Sequence, residues 1–491
     1  MREEETTTTT TPRTRGPEPG TAPESAGGPD VPAPTAAGPV EPNRPAEPTG
    51  SPSDAESAGD APKRGRGPAM FRSLTVRNYR LFAMGQVVSN TGTWMQRIAQ
   101  DWLVLQLSGG SGMALGVTTA LQFLPMLLFG LWGGTLVDRM SKRRLLIATQ
   151  ATMGVLALGL GVIATAGAAQ VWHVYLFAFA LGMVTVVDNP ARQTFVVEMV
   201  GRDDLPNAIA LNSASFQLGR VAGPAVAGLL IAVIGSGPVF LINALSFIAV
   251  LTGLWMMRPG ELHVTEPAPR TKGQIREGLR YIRGRPDLML LLLMTAFLQM
   301  FGANVQNQIA LMTNNVFQAG AGAFGVAAAA IAVGALAGAL LAARRDRPRL
   351  RTVLAGAFVF GALEIASAAA PGYLPFVLVL VPMGVAFLTF NTAMNATFQL
   401  GVDPQMRGRV MSMYMLVFLG MAPIGAPIVG FLADTFGPQV SLATGGVVTV
   451  VVTALVAVLL GRRLGVSLRV TPLRRPFVEI TRRPLAEAEE S

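Results

Sequence analysis

The 491-residue sequence predicts an all-α membrane protein: twelve transmembrane helices in two six-helix bundles related by an internal parallel repeat. Three observations predict it. Apolar runs of membrane-spanning length recur along the chain, basic residues gather in alternate connections between them, and a shift of about 203 residues lays the second half over the first.

The chain is 51% hydrophobic and only 14% charged, a composition that excludes a string of soluble domains. Runs such as Gly445–Leu460, with their neighbours, reach the roughly 20 residues that cross a hydrocarbon core of about 30 Å. Backbone polar groups find no water there, so each run must be helical. Spans are expected at 81–107, 113–137, 145–166, 171–193, 207–234 and 238–257, and then at 287–312, 323–343, 350–370, 373–399, 407–433 and 438–460.

Residues 1–69 are rich in Thr, Pro, Gly and Glu and are expected to be a disordered cytoplasmic tail. The two bundles occupy 70–257 and 287–461, and a basic tail follows over 462–491. The linker, 258–286, carries Ile275, Leu279 and Ile282 on one helical face beside Arg276, Arg280 and Arg283. It reads as an amphipathic helix lying at the membrane interface.

The connections near residues 110, 168, 236, 318 and 371 carry no charge, whereas the alternate ones hold Arg139, Lys142, Arg143 and Arg144, then Arg344–Arg351, then Arg407 and Arg409. The positive-inside tendency puts these basic loops and both termini in the cytoplasm. It also accounts for the net charge of +10 without nucleic acid. With no Cys and only His173 and His263, no metal site, thiol nucleophile or histidine triad is expected. No Gly-rich phosphate loop is present.

In the repeat, Asp188, Arg192, Thr194 and Phe195 lie over Asn391, Asn395, Thr397 and Phe398; Gln96 lies over Gln299, Asp101 over Asn304 and Pro224 over Pro427. Polar positions coincide with polar positions, but charge in the first half becomes amide in the second. Charged switching is therefore expected mainly in the first half.

Polar residues inside spans normally face a cavity or a partner. On the first span Gln86, Asn90, Trp94, Arg97 and Asp101 form one stripe. Arg97 and Asp101 are one turn apart and within reach of pairing: a permanent pair is structural, a releasable Asp101 couples transport to protons. Arg220, in the fifth span, holds an anionic cargo or pairs with a carboxylate, and pairing is the expectation. Glu364, in the ninth, is expected to be a hydrogen-bonded structural group, with a proton-carrying role as the alternative. Gln299, Asn304, Gln306, Asn307 and Gln308 are expected to line a wide cavity. Asp188 and Arg192 are expected to fix helix geometry or a gate.

Gly134-Thr-Leu136-Val-Asp138-Arg139-Met-Ser141-Lys142-Arg143 resembles the loop signature of the major facilitator superfamily, with Ser141 in place of a Gly. The resemblance implies that Asp138 meets the N-terminus of the eleventh span, which here begins Arg407-Gly-Arg409, and so closes the cytoplasmic side. Gly219-Arg-Val-Ala-Gly223-Pro224-Ala-Val-Ala-Gly228 resembles the helix-packing motif of exporters and antiporters. The stretches Asp188–Gln193, Leu205–Asn212 and Gly85–Arg97 resemble the branch holding the enterobactin exporter and macrolide-efflux proteins.

The resemblance implies a proton-driven exporter of amphiphilic small molecules (an antibiotic, secondary metabolite or siderophore), not an enzyme, with no cofactor beyond the proton gradient. Uptake or lipid translocation on the same fold, and a non-transporting membrane sensor, are the alternatives. A monomer in the bacterial cytoplasmic membrane is expected, its partners the lipid bilayer and the small-molecule cargo.

Overall fold

A computed structural model describes residues 69–201, 203–263, 274–343, 350–463, 466–470 and 478–482. The chain parts into Met1–Arg64 and Gly65–Ser491, and every described residue belongs to the second unit. The tail expected over 1–69 lies, save Ala69, outside the described residues, as do Arg344, Arg345, Arg347 and Arg349.

The first half comprises α1 (Arg77–Leu107), α2 (Gly112–Arg139), α3 (Lys142–Thr165), α4 (Val171–Val200), α5 (Leu205–Ile234) and α6 (Ser236–Trp255). After the linker helix α7 (Gln274–Arg283) come α8 (Pro286–Phe297), α9 (Val305–Leu311), α10 (Ala321–Ala343), α11 (Leu350–Ala368), α12 (Tyr373–Leu400), α13 (Arg407–Phe436) and α14 (Pro438–Arg463). Among the described residues, 11 helical segments are long and apolar enough to cross a membrane. The long helix α1 falls short of that apolarity. Its 31 residues span about 46 Å, but Gln86, Ser89, Asn90, Gln96 and Gln100 are all buried along it. The polarity that disqualifies it by hydropathy is turned inward.

Two departures from expectation stand out. The span expected over 287–312 is a broken one, running Pro286–Val316. Alpha geometry gives way to π turns at Leu298–Gly302 and Met312–Val316, closed by Ala303 N–H to Leu298 O (2.9 Å) and Phe317 N–H to Met312 O (3.0 Å). Such turns are common at functional sites and are invisible to hydrophobic periodicity. The protein is also not wholly helical, as the all-α expectation had it: β1 (Val466–Val470) pairs antiparallel with β2 (Val478–Arg482) in the basic tail.

The halves meet mainly where α2 packs on α13 and α5 on α10. Small residues allow this approach. A Cβ on Gly228 of α5 would lie 2.7 Å from the Cα of Gly325 on α10, so neither position accepts a side chain. At one end of the molecule Asp434, near the end of α13, caps the start of α2. It accepts from Gly112 N–H (2.5 Å), Met113 N–H (2.9 Å) and the Ser111 hydroxyl (2.8 Å). Beside it Asn315 donates to Gly110 O (2.8 Å).

At the opposite end α7 seats on α13. Ile282 is fully buried, Glu277 pairs with Arg409 (2.9 Å), and Tyr281 donates to Asp403 (3.0 Å). Arg280 and Arg283 are exposed. The amphipathic linker is therefore docked on the second half.

Candidate functional site

Two adjoining chambers, about 160 and 250 Å³, lie between the halves and share Arg97, Ala303, Gln306 and Phe387 in their walls. The smaller adds Trp94, Arg220 and Pro224; the larger adds Asp101, Gln122, Phe123, Gln299 and Asn304. Trp94, Arg97 and Asp101 of the α1 stripe thus face this space, whereas Gln86 and Asn90, expected on the same face, line neither chamber and are buried against Arg192 of α4. The motif on α5 explains how α1 gets there: Gly219 packs on the backbone of Asn90 (2.9 Å from a virtual Cβ to its carbonyl carbon), and Gly223 on Trp94. Two glycines one turn apart seat α1 against α5, and Pro224 opens the adjacent wall.

Of the two readings left open for Arg97 and Asp101, a permanent pair is not seen. Among the described residues neither enters an ion pair. The Arg97 guanidinium lies instead over the rings of Trp94 (5.0 Å) and Phe123 (4.9 Å). An aromatic face attracts a cation without neutralising it, so Arg97 is held while Asp101 is left to the cavity. The expectation for Arg220 is corrected. It finds no carboxylate among the described residues and stands 6.0 Å from the Trp94 ring, on the cavity wall. Two cations and one carboxylate therefore face a common space.

On the second half, Gln299 donates to Phe418 O (2.9 Å) while its own Oε1 has no partner among the described residues. Asn304, two residues beyond the first π turn, donates to Met300 O (3.0 Å) within it. Asn307 and Thr119 hydrogen-bond across the halves (3.0 Å). Gln308 is not a cavity residue: it is fully buried and donates to Ser441 (3.1 Å). The π turn shifts the helical phase, which is why a simple count misplaces it.

Glu364 departs furthest from expectation. It is fully buried on α11, away from both chambers, and neither carboxyl oxygen has a hydrogen-bond partner among the described residues. A side chain on Gly445 would meet its Oε1 at 2.8 Å, and one on Gly302 would meet its Oε2 at 3.4 Å. Two glycines make room for the carboxyl but give it nothing to bind.

Of the residues expected at the gate, Asp188, Arg192 and Arg143 spend their described contacts within the first half, and Arg409 turns to the linker helix. Asp188, fully buried, accepts from Thr149 and Gln150 (both 2.8 Å) and is paired with Arg192. Arg192 reaches Gln86 (2.7 Å) and Asn90 (3.5 Å), tying α4 to α1. Arg143 caps the end of α6 through Leu254 O (2.8 Å) and Trp255 O (3.1 Å). Arg409 is taken by Glu277 (2.9 Å). Asp138 is engaged at the end of α2, and Arg139 and Arg407 are exposed. Phe123 and Phe387 escape a sequence reading, because a cavity phenylalanine and a lipid-facing one look alike in an apolar run.

A family model described as a transmembrane secretion effector matches residues 69–470. The chain belongs to that family. Among its relatives, the staphyloferrin A transporter of Staphylococcus aureus is 26% identical over 387 residues, covering 77% of this chain and 94% of the relative. The macrolide efflux protein A of Streptococcus pyogenes is 23% identical over 373 residues, 75% and 92% of the two chains. The multidrug efflux pump Tap of Mycobacterium tuberculosis is 26% identical over 371, 73% and 87%.

Solved structures share the fold. The nucleoside transporter NupG superposes with a TM-score of 0.62 at 13% identity, covering 78% of this chain and 99% of that one. A bacterial homologue of the iron transporter ferroportin in an inward-facing state does so too (0.58, 14%, 77% and 99%). The secretion effector family is one of major facilitator membrane transporters, so the chain is a multi-pass membrane transporter and not an enzyme.

Proposed function

We propose that the chain is a proton-coupled exporter of amphiphilic small molecules, built of twelve transmembrane helices in two six-helix bundles that rock around the central cavity. In this reading α1 crosses the membrane with its polar stripe inward, both termini are cytoplasmic, and the protein works as a monomer in the bacterial plasma membrane. The names of its relatives, which include macrolide and multidrug efflux proteins, favour export.

One observation carries the coupling: Asp101 faces the cavity without an ion-pair partner among the described residues, while Arg97 is held by aromatic faces. The ionised carboxylate attracts a cationic or hydrogen-bond-donating group of the cargo from the cytoplasm. A proton arriving from outside neutralises the carboxylate, removes that attraction and releases the cargo outward. Arg220, on the same wall system, meets an acceptor oxygen. The cargo that fills both is polar at one edge and apolar elsewhere, matching Trp94, Phe123 and Phe387. Energy comes from the proton gradient.

Inverted vesicles test the reading. Wild-type protein should accumulate a fluorescent amphiphile when a proton gradient is applied, and Asp101→Asn should reduce substrate-driven proton flux to background while the folded yield persists. Full proton-coupled transport by that variant removes Asp101 from the mechanism.

A further inference from the structure

On the lateral surface of the second half a groove of about 580 Å³ runs between α11 and α12. Small residues leave it unfilled: Ala355, Gly356 and Ala386 line it, and a Cβ on Gly356 would lie 3.1 Å from the backbone nitrogen of Phe390. The lining is graded along its length. Arg351 and Thr352 stand at the start of α11, Thr389 is set deeper, beside the contact of Phe390 with Gly356, and Val359, Pro382 and Val385 are apolar. From Arg351 to Val359 the helix rises about 12 Å, close to the roughly 15 Å of hydrocarbon in one leaflet. Arg351, Ala355, Val359 and Pro382 are exposed, so the groove opens sideways, away from the bundle. Among the described residues Arg351 enters no ion pair, and the hydroxyls of Thr352 and Thr389 have no hydrogen-bond partner and are not sealed from the surface. No residue of the groove lines either central chamber: on α12, Ala386 belongs to the groove and Phe387 to the chambers.

We propose that this groove binds one anionic phospholipid of the cytoplasmic leaflet. Its phosphate meets Arg351 and the Thr352 hydroxyl, a glycerol-ester oxygen accepts from Thr389, and one acyl chain follows the apolar walls toward the midplane. The choice of leaflet rests on the orientation in the reading above, which puts the start of α11 at the cytoplasmic surface. A peptide laid in the groove would carry backbone N–H and C=O groups into hydrocarbon without partners; an acyl chain brings none. A guanidinium matches a phosphate through parallel N–H···O bonds, and its hydrocarbon stem lies along apolar surface while the head stays at the interface. The connection leading into α11 carries four arginines and one aspartate over 344–349. That excess of positive charge draws anionic headgroups and repels the ammonium of a zwitterionic one. The bound lipid is a ligand on the back of the helix that walls the cargo space, not a cargo.

Because the chain has no Cys, a single bimane fluorophore reports one place in the full-length protein. Attached through Val359→Cys it reads the groove, and through Val155→Cys, at an exposed position of α3, it reads ordinary lipid-facing surface. The labelled protein sits in nanodiscs of equal phosphatidylglycerol and phosphatidylcholine, with a quenching doxyl group carried on the acyl chain of one lipid or the other. Quenching at position 359 should favour phosphatidylglycerol about fivefold, the value of one basic residue at an anionic surface, and quenching at 155 should favour neither. Arg351→Gln should remove the preference by taking the cation, and Ala355→Phe by filling the groove while leaving the charge. A preference that survives both variants overturns the site, and so does a ratio at 359 no greater than that at 155. A saturating fluorescent amphiphile should leave the preference intact; if it abolishes it, the groove belongs to cargo and not to lipid. Proton-driven dye accumulation in inverted vesicles tests the transport reading separately, and its failure leaves the quenching result standing, since groove and chambers share no residue.

Discussion

Asp434 is the place to perturb the transport cycle without touching the cavity. Its carboxylate takes three hydrogen bonds from the first turn of α2, across the boundary between halves. In the proposed orientation this end faces outward, so the contact holds the outer side shut. Asp434→Ala removes an anion from a helix N-terminus and leaves Gly112 and Met113 N–H groups without their acceptor. Loss of a capping acceptor costs about 1 kcal/mol, and the helix dipole adds roughly 0.3–1 kcal/mol at an exposed site. The shut state should therefore lose about 1–2 kcal/mol, a shift in population of roughly five- to thirtyfold.

Because the chain has no Cys, cysteine pairs introduced for spin labels are unique. One pair, Ala168 with Ala369, reports the outer side, and another, Ser141 with Gln405, the inner. The variant should add a longer distance to the first pair and a shorter one to the second. Asp434→Asn, which keeps one acceptor oxygen, should fall between it and wild type. Unchanged distance distributions in Asp434→Ala would refute the assignment of this cap as a latch.

Contacts elsewhere in the molecule give three more tests. Glu364→Gln should leave thermal stability unchanged or slightly raised, since neither oxygen has a partner to lose, whereas Glu364→Lys should abolish folded yield in fluorescence-detected size exclusion because it buries an unpaired charge. Gly228→Leu should prevent the close approach of α5 and α10 at Gly325 and hold the outer side open in the same spin-label assay. Leu229→Ala, at the neighbouring exposed position, is its control and should leave the distances as in wild type. If Asp138 holds the opposite state at the other end of α2, as the family resemblance implies, Asp138→Ala combined with Asp434→Ala should return the distance populations toward wild type, because the two losses oppose each other. A double variant as outward-shifted as Asp434→Ala alone would show that Asp138 carries no such role.

The spans are legible in the sequence because hydrophobic length and charge placement act over some twenty residues and need no partner. The expected 171–193 and 207–234 are Val171–Val200 and Leu205–Ile234 in the structure, small errors at ends where polar helix continues beyond the apolar run. The contacts of Arg97 and Glu364 are not legible. Both depend on which aromatic or glycine a neighbouring helix presents at that depth: Phe123 comes from α2 and Gly445 from α14. An i,i+4 spacing says that Arg97 and Asp101 are within reach of each other, and cannot say that a ring on another helix competes for the cation. The π turns are hidden for a related reason, since they alter phase without altering composition.

The asymmetry between halves has a mechanical consequence. In the first half, buried charge is cross-linked: Asp188, Arg192, Thr149, Gln150, Gln86 and Asn90 join α1, α3 and α4. In the second, buried polar atoms at Gln299, Gln308, Glu364 and Asn391 have no partner among the described residues, and the span that carries two of them is broken by two π turns. Both halves keep unpartnered buried atoms, Gln150 Oε1 and Arg192 Nε in the first among them, but the first ties its buried charge across three helices, and such a cross-linked network resists deformation. Rocking by two rigid halves would need neither feature. In the proposed cycle the helix break at Leu298–Asn304, which borders the larger chamber, is the point where the second half departs from a rigid body.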